Sequence, residues 1–64
     1  GDAKMAYKVT STYMDGLPVW IVIDPKDLKE FQSGCYRGEI LKGLDLDRAK
    51  MVALADKLNQ EAAE

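Results

Sequence analysis

Polar and apolar residues alternate in one stretch of the chain and run together in the next. From Met5 to Tyr13, the positions Tyr7, Val9, Ser11 and Tyr13 alternate with Lys8, Thr10 and Thr12. Period two with β-branched and aromatic residues predicts a strand. Val19–Ile23 (Val-Trp-Ile-Val-Ile) carries the strongest strand signal. Between the two sits Asp15-Gly16, a pair that tolerates the positive φ angles of a type I′ hairpin turn. A two-residue loop sets Met14 opposite Leu17 and Tyr13 opposite Pro18. A four-residue loop over Asp15–Pro18 shifts the pairing by two residues and leaves the faces unchanged.

The hairpin then has two unlike faces. Tyr7, Val9, Ser11, Tyr13, Trp20 and Val22 share one of them. Lys8, Thr10, Thr12, Val19, Ile21 and Ile23 share the other. The first is apolar on both strands and should receive a helix. The second is half apolar and calls for cover from the middle of the chain or from a partner.

Beyond the hairpin the period changes. Asp24-Pro25-Lys26-Asp27 is a helix start, with Asp24 as cap and Pro25 in the first turn. Leu28 and Phe31 fall on one side, and Gly34 ends this short helix. An irregular loop with a single turn is the rival reading. Tyr36–Leu41 is a candidate third strand, weakened by Gly38 and broken off at Gly43. Over Asp45–Ala62 the period is helical, with Asp45 as candidate cap and Asp47 in the first turn. Met51, Leu54, Ala55, Leu58 and Ala62 form one apolar stripe with Val52 at its edge. The expected fold is α+β: a two-layer domain in which an antiparallel hairpin and a candidate third strand pack on a C-terminal helix. The element order is β-β-(α)-β-α.

Sixty-four residues make one domain. Gly1–Lys4 reads as a remnant ahead of a start at Met5, which leaves 5–64 as the domain. A chain this small has a thin stability margin and commonly gains from a disulfide, a metal or a partner. Cys35 is the one cysteine and there is no histidine, so an internal disulfide and the usual zinc sites are ruled out. No run of apolar residues reaches the roughly 20 that a membrane helix needs. A lone thiol and no export signal suit a reducing, cytoplasmic setting.

Charge narrows the partners. The net charge is −2, and acidic and basic residues mix along the whole chain. Nucleic acid draws its affinity largely from clustered Lys and Arg, so this balance weighs against it. The alternative role that keeps nucleic acid in view is a single-stranded binder stacking bases on Tyr7, Tyr13 and Trp20. Lys4 and Lys8 are the only cations in that hairpin, and the C-terminal helix needs the same rings for its core.

Catalytic chemistry finds little to work with. The common general base near neutral pH is missing. Cys35 is a candidate reactive thiol with Arg37 two residues away, but a small buried or half-buried residue explains it as well. Pairs such as Asp24/Asp27 and Asp45/Asp47 read as helix caps and first-turn acids before metal ligands. Gly34, Gly38 and Gly43 match no phosphate-binding pattern. No cofactor is implied. Tyr13, Trp20, Phe31 and Tyr36 are large side chains for so small an interior, and aromatic residues anchor interfaces. They are the candidate interaction surface. The expected function is a non-enzymatic protein-interaction or regulatory module that binds a protein partner or itself, of the kind found among bacterial or phage accessory proteins.

Overall fold

A computed structural model describes residues 6–34 and 40–63. Its elements run β1 (Lys8–Met14), β2 (Leu17–Ile23), α1 (Pro25–Ser33), β3 (Leu41–Asp45) and α2 (Arg48–Ala63). The three strands form one antiparallel sheet in the order β1-β2-β3. The architecture is the small α+β domain expected from the periodicity.

The hairpin forms as its turn residues dictate. Asp15 has φ 53 and Gly16 φ 82, both in the left-handed region that a type I′ turn demands. The primed turn matches the twist of the strands and fixes the register, with Met14 opposite Leu17 and Tyr13 opposite Pro18. The two-residue loop therefore prevails over the four-residue one.

Asp24 caps α1. Its backbone is extended and its Oδ1 accepts from the Lys26 N–H at 3.0 Å. The side chain is buried, so this bond also satisfies a charge taken out of water. Gly34 closes the helix in the left-handed conformation. The single-turn rival is thereby displaced by a nine-residue helix.

Two boundaries differ from the sequence reading. The third strand among the described residues is Leu41–Asp45; most of the expected Tyr36–Leu41 strand, residues 36–39, lies outside the described residues. Gly43 does not break the chain but sits inside this strand, opposite Val22. A Cβ built on it would lie 2.5 Å from Leu54 Cδ2 and 3.1 Å from Met51 Sδ, both on α2. Glycine leaves room for these two side-chain ends, which would have to shift to admit a Cβ. The second boundary is the start of α2. Asp47, not Asp45, holds it: Asp47 Oδ1 accepts from the Ala49 N–H at 2.9 Å. Asp45 instead ends β3 opposite Trp20, and its Oδ1 accepts from the Asp47 N–H at 2.8 Å. The two aspartates form successive side-chain-to-backbone turns that lead the chain from strand to helix.

α2 lays its stripe on the expected face. Val22, Met51 and Ala55 are buried together, with Tyr7, Val9, Trp20, Leu54 and Leu58 packed around them. Ala62, expected on the stripe, is exposed. The opposite face is closed as well: Ile21 and Ile23 are fully buried and Val19 is 4% exposed. Side-chain alternation puts these three away from α2. On α1, Leu28 and Phe31 are half-buried.

Candidate functional site

β1 lies at the edge of the sheet. Which of its backbone groups point outward follows from Pro18. A hydrogen-bonded pair in an antiparallel ladder exchanges two N–H···O=C bonds, and proline has no N–H. The Tyr13–Pro18 pair is therefore the non-bonded kind, and the kinds alternate along the strand. Lys8, Thr10, Thr12 and Met14 bond to β2. Val9, Ser11 and Tyr13 aim their N–H and C=O groups away from the sheet.

Tyr7 continues this outward series, and its groups are satisfied. Its N–H donates to Asn59 Oδ1 at 2.6 Å, while Asn59 Nδ2 donates to its C=O at 3.3 Å. One side-chain amide from α2 thus imitates one residue of a neighbouring strand and closes the edge at that point. The hairpin turn bounds the other end. The open edge is therefore Val9, Ser11 and Tyr13, and among the described residues nothing bonds to their outward groups.

The two edges of the sheet are unlike. β3 has five residues to the seven of β1. Its register shifts between Val22 and Ile23, which leaves Lys42 without an opposite residue on β2. Shortness, a bulge and a lysine are the devices that discourage strand addition. β1 is unbroken through all seven pairs with β2, and its one charge, Lys8, stands at its beginning.

Of the described aromatic candidates, Tyr13 and Trp20 share a sheet face and Phe31 lies on α1. Tyr13 stands at the hairpin end and is 76% exposed. Trp20 is its diagonal neighbour on the same face, half-buried beside the α2 core, with the Arg48 guanidinium 5.4 Å from its ring centroid. That stacking is a cation–π contact. Phe31 belongs to α1, outside the sheet, and is half-buried. Tyr36 and Cys35 lie outside the described residues. Other exposed apolar side chains are Met14 and Leu17 beside the turn, and Leu44 and Leu46 at the end of β3.

Sequence reasoning passed over Asn59. The signal was there: Asn59 follows Ala55 by four residues, so it is a polar side chain beside the apolar stripe. Such a group, brought against the sheet, needs a hydrogen-bonding partner. The stacking face for nucleic acid is narrowed, since α2 packs over Tyr7 and Trp20 and leaves only Tyr13 open. Of the four acids weighed as metal ligands, Asp24, Asp45 and Asp47 each accept a backbone N–H.

No known protein family matches this chain, and neither a curated protein nor a solved structure is significantly similar to it. The fold defines a small α+β domain with a three-stranded antiparallel sheet. Among the described residues, no helix is long and apolar enough to cross a membrane.

Proposed function

We propose that this chain is a small non-enzymatic protein-interaction module and that its contact element is the outer edge of β1. The observation that carries this reading is the open run of Val9, Ser11 and Tyr13 between the Asn59 amide and the hairpin turn. An extended segment of another chain adds there as a fourth strand. Backbone hydrogen bonds supply its affinity and alternate side chains its selectivity. The exposed Tyr13 supplies the large contact side chain next to that edge.

Residue-resolved amide exchange tests this, with extended peptides selected from a random library for binding. Thr10 and Thr12 bond to β2, so their amides are protected from the start. Val9, Ser11 and Tyr13 amides exchange rapidly in the chain diluted to a monomer and slow when a strand docks. Selected peptides that protect a different surface, or no binding peptide at all, would overturn the reading.

A further inference from the structure

We infer that the strand this edge accepts is β1 of a second copy of the same chain, paired antiparallel about a two-fold axis through Ser11. The inference rests on the reading of β1 as the contact edge and names the partner.

Symmetry of the open edge is the first argument. Its three free residues are centred on Ser11. A two-fold axis there sets Ser11 opposite Ser11 and Val9 opposite Tyr13. All are outward-pointing, so every pair is of the hydrogen-bonded kind, and both free groups of all three residues find partners. The neighbouring registers do worse. Sliding one way sets Tyr13 against Tyr7, whose groups Asn59 already holds. Sliding the other way sets Val9 against Asp15, which belongs to the turn. In the central register Asp15 falls opposite Tyr7, so the incoming strand ends where the Asn59 amide begins.

Side chains provide the second argument. On the face that carries α2, Tyr13 of one copy lies across from Val9 of the other, an aromatic–β-branched pair. Val9 already packs against the α2 core, so the exposed Tyr13 ring extends the core of the other copy. On the opposite face Thr10 meets Thr12 in a non-bonded pair, where side chains approach most closely. Lys8 meets Met14, with Asp15 of the other copy next in line. No like charges face one another. The product is a continuous six-stranded sheet with both α2 helices on one side.

The test uses the full chain and two variants. Light scattering over a dilution series should show the mass rising from 7.1 kDa to twice that value. Ser11→Pro deletes an outward N–H that β2 does not use, at an edge position where proline is tolerated. It should leave the circular dichroism spectrum intact and raise the dimer dissociation constant at least about tenfold. Thr12→Pro is the contrast: it removes an inward donor and should loosen the monomer itself. Register is read with Ser11→Cys in a Cys35→Ser background. Paired Cα atoms stand about 5.5 Å apart, within disulfide reach, and mild oxidation should link the two copies.

A chain that stays at 7.1 kDa up to millimolar concentration overturns the second copy. So does a dimer indifferent to Ser11→Pro whose Ser11→Cys form does not cross-link. The two readings separate cleanly. A monomer whose β1 amides are still protected by added peptides keeps the contact edge and loses only the self-pairing. A dimer held elsewhere, with no peptide protecting β1, removes both.

Discussion

The two outer strands of this sheet differ in length, regularity and what covers their outer sides. β3 is bent by a bulge and hollowed at Gly43 so that Leu54 and Met51 of α2 can settle against it. β1 is straight, regular and fully paired to β2, and its outer side is left open except at Tyr7. The contrast teaches that closing an edge and packing a helix can be the same act. Where α2 presses on β3, the strand is distorted and unfit for addition. Where α2 reaches β1, it closes one residue with a side-chain amide and stops.

Three substitutions probe that contrast in order of size. Gly43→Val should be the most damaging, because the new side chain enters space held by Leu54 and Met51. Overpacking of this kind costs about 1–3 kcal/mol, read as a fall in the urea midpoint. An unchanged midpoint would mean that α2 does not depend on the missing side chain of β3. Asn59→Ala comes next. It frees both Tyr7 backbone groups in a partly buried place and should cost about 1–2 kcal/mol. The same change lengthens the open edge by one outward residue, so Tyr7 amide exchange should rise toward that of Val9. Equal protection of Tyr7 with and without Asn59 would contradict the closure. Tyr13→Ser is the smallest. The ring is largely in water, so the dilute chain should change by no more than about 0.5 kcal/mol. A large loss would show that Tyr13 belongs to the monomer's own core.

Much of the fold was legible in the sequence, and the unread part has a common cause. The Asp15-Gly16 turn, the two faces of the hairpin and the Met51/Leu54/Ala55/Leu58 stripe follow from local chemistry and periodicity. Each was recoverable because neighbours in sequence decide it. The position of β3 was not. A glycine inside a short strand looks like an interruption unless one knows that a helix lies over it, and that helix begins several residues later. Asp45 and Asp47 posed a similar problem. Either can cap a helix, and the choice fell to Asp47 because Asp45 is held in the ladder opposite Trp20. The placing of the described aromatic candidates was out of reach for the same reason. Residue type marked Tyr13, Trp20 and Phe31, but only the assembled sheet separates an exposed ring from one beneath Arg48 and one on α1. The edge itself is a property of the backbone, and composition carries little sign of it.

The clasp between Asn59 and Tyr7 joins groups 52 positions apart. During synthesis the hairpin emerges long before the residues that shut its first outward position. A nascent chain therefore presents a longer template than the finished one, with no stop to say where an added strand should end. Only when α2 has docked does the ruler acquire its zero mark. The length of the open edge is in this way set only once α2 is in place.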